Sequence, residues 1–208
     1  MKRSFLISMA VAVVFHAGVA IACEPDSMVI DTVGSTTIVS TLFGRGPGQT
    51  FVATDTLIRA ITVWRMATQS PNPYPMKLWV VEVDSAGYPL SDQIIYEGPL
   101  TQVLYGDGIH PVEIRFYLDP PVVLPGPGKY AFIVQNQCSG FFDLLTVTDS
   151  YAQGQMWRSS RSNFSGCILS ETMQDFYEYD LCCKIEFCKD GQTPSRRCSW
   201  GQVKTIYR

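Results

Sequence analysis

Residues 177–188 carry the clearest alternation in the chain. Tyr177, Tyr179, Leu181, Cys183, Ile185 and Phe187 fall on one face of a period-2 strand, and Glu178, Asp180, Cys182, Lys184, Glu186 and Cys188 on the other. Because successive side chains in a strand point to opposite sides, this predicts a strand with one buried and one wet face. The same alternation recurs at 112–118, where Val112, Ile114, Phe116 and Leu118 oppose Glu113, Arg115 and Tyr117, and at 129–135. Residues 57–65 and 76–83 are apolar on both faces, which predicts central strands covered on both sides. Shorter apolar segments lie at 28–33, 37–42, 49–53, 93–96, 122–124, 142–147 and 155–158.

Turn chemistry separates these segments. Gly44-Arg45-Gly46-Pro47-Gly48, Asp84-Ser85-Ala86-Gly87 and Pro125-Gly126-Pro127-Gly128 are turns. Gln69 to Pro75 holds three prolines, each removing a backbone donor, and reads as a loop. No helical stripe occurs between residues 23 and 198. About ten short strands with regular turns predict an all-β antiparallel sandwich, jelly-roll-like, over residues 23–188.

The two ends differ from this body. Lys2 and Arg3 precede an apolar run at 5–19 and a small-residue site, Ala20-Ile21-Ala22, so residues 1–22 read as a secretory signal peptide. Residues 189–208 are basic and mostly polar. Ser199 with Gln202 fits a capping box, and Trp200, Val203 and Tyr207 share one face of two helical turns. So short a helix does not persist alone in water, which makes this end a candidate docking or sorting tail.

Charge narrows the partners. The chain has 208 residues and a formal charge of −3. Residues 23–188 hold 9 basic against 18 acidic side chains, and residues 189–208 hold 5 against 1. An acidic body lacks the basic footprint nucleic acid needs.

The seven cysteines, in an exported chain, point to disulfides. Cys138, Cys167, Cys182, Cys183, Cys188 and Cys198 are the candidates, and sequence cannot choose among their fifteen pairings. Zinc is the weaker reading, because no Cys-x-x-Cys pair is present and alternation sends Cys183 away from Cys182 and Cys188. Cys23 directly follows the cleavage site, where a lipoprotein carries its lipidated cysteine. A lipid anchor is therefore an alternative to simple secretion to the periplasm, the medium or the cell surface, and a membrane contact is expected only with that anchor.

Several segments are similar to a jelly-roll domain of secreted bacterial proteins, of the choice-of-anchor or unknown-function type. They are Gly48-Gln49-Thr50-Phe51, 76–83 with Gly87-Tyr88-Pro89, 129–134, and Tyr179-Asp180-Leu181 with Lys184-Ile185-Glu186-Phe187. The end, Ser199-Trp200-Gly201-Gln202-Val203-Lys204, resembles Trp-Gly-x-aliphatic-Lys tails of exported proteins. The resemblance implies the fold and export, and carries no catalytic residue.

Chemistry is sparse. After cleavage His110 is the one histidine, in a loop before Pro111, and reads as a solvated turn residue. A lone histidine weakens Ser-His-Asp and Cys-His schemes. Glu82 with Asp84 and Glu178 with Asp180 are same-face carboxylate pairs and support glycoside hydrolysis as an alternative. Loop aspartates (Asp84, Asp92, Asp107, Asp119, Asp143 and Asp149) make a structural calcium conceivable, with no ligand set assigned; no other cofactor is implied. Trp64 and Trp79 read as core. Tyr151, Trp157 and Arg158 are the candidate ligand-binding residues, weighed against an edge strand packing on the sandwich. The expected function is a secreted, non-catalytic binding or adhesion module, with a glycan or cell-surface component as partner. The alternatives are a structural or assembly component of the envelope and a glycoside hydrolase.

Overall fold

The structure, a computed structural model, describes residues 25–30, 37–40, 46–67, 75–102, 106–136, 143–148, 150–159, 173–176 and 178–188. Residues 1–22, expected to be a signal peptide, and Cys23, Cys138, Cys167, Cys198 and the end with Trp200, Val203 and Tyr207 lie outside the described residues.

The described chain is all-β. Its strands are β1 (Pro25–Ile30), β2 (Thr37–Ser40), β3 (Pro47–Ala53), β4 (Leu57–Arg65), β5 (Met76–Val83), β6 (Pro89–Glu97) and β7 (Val112–Val123). They continue with β8 (Gly128–Asn136), β9 (Asp143–Thr148), β10 (Met156–Ser159), β11 (Met173–Phe176), β12 (Tyr179–Leu181) and β13 (Cys183–Cys188). All pairings are antiparallel and form two sheets.

Eight of these strands make a jelly roll. In the first sheet β1 pairs with β13, β13 with β4, and β4 with β7. In the second, β3 pairs with β8, β8 with β5, and β5 with β6. The chain crosses between sheets from β3 to β4, β4 to β5, β6 to β7 and β7 to β8. That alternation of two four-stranded sets is the double Greek-key arrangement of a jelly roll. Segment β9–β12 is inserted between β8 and β13. Its β10 and β11 extend the second sheet beyond β3, while β9 and β12 extend the first and carry β2.

Alternation explains the main core. Ile58, Ile61, Val63, Ile114, Phe116, Leu118, Cys183, Ile185 and Phe187 of the first sheet meet Phe51, Leu78, Val80, Tyr130, Phe132 and Val134 of the second. Phe51 and Phe187 touch across the layers, with ring centroids 6.3 Å apart. A second apolar cluster lies on the other face of the second sheet: Trp79, Val81, Ala131, Ile133, Trp157 and Met173, with Tyr88 against it. The β5–β6 turn forms as the sequence predicts. Asp84 Oδ1 accepts the N–H groups of Ala86 and Tyr88 at 2.8 Å, and Gly87 has a φ of 86°, a value that suits glycine.

Four expectations change. The strand expected over 177–188 breaks at Cys182, whose N–H donates to Leu145 O at 3.0 Å, so that β12 lies on β9 while β13 lies on β4. Its second face is also not wet: Asp180, Cys182, Glu186 and Cys188 are buried. A strand with neighbours on both edges and charged side chains laid across it loses solvent on both faces. The segments at 112–118 and 122–124 merge into one strand, β7, and β11 was not expected at all.

Candidate functional site

The residues that sequence reasoning singled out fall into two interior arrangements. The first centres on Asp180, which is 1% exposed. Its Oδ1 accepts Gln49 Nε2 at 2.8 Å, and its Oδ2 accepts the N–H groups of Ser150 and Tyr151 at 2.7 Å each. Gln49 in turn accepts the Leu181 N–H at 2.9 Å through Oε1. The carboxylate thus holds three donors, the condition under which a buried charge is tolerated. Tyr151 is half-buried; its hydroxyl accepts the Val52 N–H at 3.0 Å. Burial pushes its phenol pKa up, with Cys183 and Asp180 adding to the shift and the Val52 bond opposing it.

The second arrangement surrounds Trp157. The indole is 7% exposed and meets Tyr88 edge-on, at 5.3 Å between centroids. Tyr88 Oη accepts the Met173 N–H at 2.8 Å. Trp157 is therefore a packing residue and not an exposed platform, because β10 is flanked by β3 and β11. Arg158, next along β10, is half-buried. Tyr151 and Trp157 are thus on separate structural duties and share no open surface.

The remaining candidates have equally local roles. Asp84 holds its turn, and Asp180 is enclosed while Glu178 is exposed. His110 is exposed; its Nδ1 lies 2.6 Å from Asp107 Oδ2, and Asp107 Oδ1 accepts the N–H groups of Ile109 and His110. These bonds, the His110 side chain first, hold the Asp107 carboxyl below its ordinary range. Among the described residues no three of His, Cys, Asp and Glu converge to hold a metal ion.

The disulfide expectation is corrected in part. Cys182 and Cys183 are buried thiols, whereas Cys188 is disulfide-bonded. Cys183 lies between Ile30 of β1 and Val63 of β4, so its cross-strand neighbours are aliphatic and offer no sulfur. Burial pushes its thiol pKa well up, reinforced by Cys182 and Asp180. Such a thiol has almost no thiolate and is chemically quiet.

The outer face of the first sheet holds an arrangement that the sequence reading left unassigned. Tyr117 of β7 is 54% exposed, and the Arg59 guanidinium carbon lies over its ring, 5.7 Å from the centroid. Beside them Glu186 Oε2 accepts Arg115 at 2.6 Å, and Glu186 Oε1 pairs with Lys184 at 2.9 Å. Burial raises the Glu186 pKa, but the Lys184 hydrogen bond and the charges of Arg115, Lys184 and Arg59 outweigh it and leave the pKa lowered. Tyr117 also lines a small cleft between β6 and β7, with Leu78, Phe116 and Leu118 inside and Tyr96, Gly98, Pro99 and Thr101 around it. The Tyr96 ring lies against Gly98, where an added Cβ would come within 3.1 Å of it. The available sequence signal was an aromatic on the otherwise charged face of a strand.

No family model, no curated protein and no solved structure matches the chain.

Proposed function

We propose that the protein is an exported, non-catalytic binding or adhesion module that recognises a glycan or other cell-surface component. The observation that carries this reading is the half-exposed Tyr117 with Arg59 over it, beside the Tyr96–Thr101 cleft. An aromatic ring on solvent with a cation at its face is the kind of surface that gains from covering by a ligand with both apolar and polar edges. The strands fix it in place, so little conformational entropy is lost on binding. The signal-peptide pattern of residues 1–22 supports export, as does a disulfide at Cys188. Its partner sulfur is proposed among the cysteines outside the described residues. Likeness to the secreted choice-of-anchor type of jelly roll belongs to the same proposal.

A glycan array and a pull-down from cell-surface fractions with the mature protein test the reading. Retention on one or more of them is the expected result. No retention on any glycan or surface fraction, with the protein folded by circular dichroism, rejects it.

A further inference from the structure

We infer that Cys23 is the disulfide partner of Cys188, so that the bridge ties the start of the mature chain to the last strand of the body and closes the Cys23 sulfur to a lipid. This inference rests on the export part of the reading above and is independent of the ligand.

Strand register brings the two residues together. Cys188 is disulfide-bonded, and Pro25 of β1 lies directly opposite it in the antiparallel β1–β13 ladder. Directly opposite Cα atoms in such a ladder are about 4.5–5.5 Å apart, and their side chains share a face. Cys23 precedes Pro25 by two residues, and an extended chain returns its side chain to that same face. A diagonal neighbour of this kind sits roughly 7–8 Å away, against about 4.4–6.8 Å between the Cα atoms of a disulfide. A small change of direction at Glu24 closes the difference.

The other cysteines fit less well. Cys182 and Cys183 are thiols. Cys138 lies two residues beyond Asn136, the end of β8. Phe187 touches Phe51, which pairs with Tyr130, so Cys188 lies near the start of β8. From Tyr130 to Asn136 the strand runs about 20 Å away from it, and two more residues return at most about 7 Å. Cys167 falls between Ser159 and Met173, which pair with each other where the Ser159 N–H donates to Gly46 O at 2.9 Å. Gly46 is also at the far end of the sandwich, one residue before β3, and Gly48 pairs with Ile133. Cys198 is near in sequence, but bridging it orders the nine polar residues 189–197, each at a cost in backbone entropy. Bridging Cys23 orders only Cys23 and Glu24 beyond a strand already held by its ladder.

The bridge has structural and chemical consequences. Among the described strands β1 has β13 as its one neighbour, so a covalent tie at its start holds an edge that would otherwise fray. In forming the bond both thiols lose their protons, and their two electrons reduce a disulfide of an exchange protein or of oxidised glutathione to two thiols. A sulfur in that bond cannot also form the thioether of a lipid anchor. The two fates of Cys23 therefore exclude one another.

The test is a disulfide map of the chain made with its own residues 1–22, blocked with iodoacetamide in denaturant and cut with trypsin without reductant. Trypsin places Cys23 on residues 23–45, Cys138 on 130–158, Cys188 on 185–189 and Cys198 on 198–204, and leaves Cys167 with Cys182 and Cys183 on 162–184. A link between 23–45 and 185–189 is expected by mass spectrometry. Cys23→Ser should leave Cys188 alkylated, whereas Cys198→Ser should keep the link; this readout does not depend on how stable either variant is. A link from 185–189 to any other peptide, an alkylated Cys188 in the wild-type chain, or a diacylglyceryl group on Cys23 overturns the pairing. Refolding residues 23–208 in a glutathione couple separates the bridge from export. The expected link formed there, with residues 1–22 retained in cells, keeps the bridge and removes export.

Discussion

At Gly154 an added Cβ would lie 2.0 Å from Thr50 O and 2.7 Å from the Tyr151 ring. The backbone of the 150–155 loop is drawn against β3 by the Thr50 N–H bond to Gln155 O and by the Gln155 N–H bond to Thr50 Oγ1, at 3.0 and 2.8 Å. Gly154→Ala should therefore lower stability by about 1–3 kcal/mol or more through overpacking, read as a lower midpoint in urea unfolding. Asp180 shares this region. In Asp180→Asn one oxygen becomes an NH2 group, which must face either the Gln49 amide or the Ser150 and Tyr151 N–H groups. Each buried donor so orphaned costs roughly 1–3 kcal/mol. The midpoint should fall while Asp84→Asn, at an exposed turn, moves it much less; an unchanged midpoint for Asp180→Asn would show the network contributes little. Glycine and acid were legible as residue types, but their contacts join positions up to 131 apart and could not be read locally.

At the scale of elements, β13 decides most. Its inward residues Cys183, Ile185 and Phe187 follow the period-2 pattern, so that half was legible in the sequence. The cysteine chemistry was not, because disulfide formation depends on which strand lies opposite. Iodoacetamide labelling gives a direct check. In denaturant without reductant Cys182 and Cys183 should label, Cys188 should label only after reduction, and native protein should protect Cys183. Labelling of Cys188 without reductant would contradict its bridge. The outer face of β13 predicts a pH response. Glu186 has a lowered pKa, so its contribution to stability is full above its ordinary value of 4.5 and is lost as pH falls through the lowered value. Glu186→Gln should flatten the fall in stability across that acidic window, and identical acid-unfolding profiles for the two proteins would refute the coupling.

For the whole molecule, the jelly roll puts β1 beside β13, and Gln49 within 2.9 Å of the Leu181 N–H. Both ends of the body must be in place before the first sheet is complete. Such non-local pairing makes folding slow, with a refolding time of about milliseconds to seconds in stopped-flow fluorescence, and microsecond refolding would argue against this closure. Topology also relocates the binding surface. Trp157 lies in a strand that sequence could read as an edge, and β11 turns it into an interior one. Tyr117 comes to lie under Arg59, which belongs to the neighbouring strand β4.

The sequence by itself determined the all-β class, the turns at Asp84 and Pro125–Gly128, and the inward faces of β7, β8 and β13. Those follow from backbone periodicity and turn chemistry, which are local. Tertiary structure alone decided which cysteines remain thiols, which carboxylate is enclosed, and which aromatic meets solvent. Each depends on the neighbour across the sheet or between sheets, and that neighbour is set by a strand order that no single segment encodes.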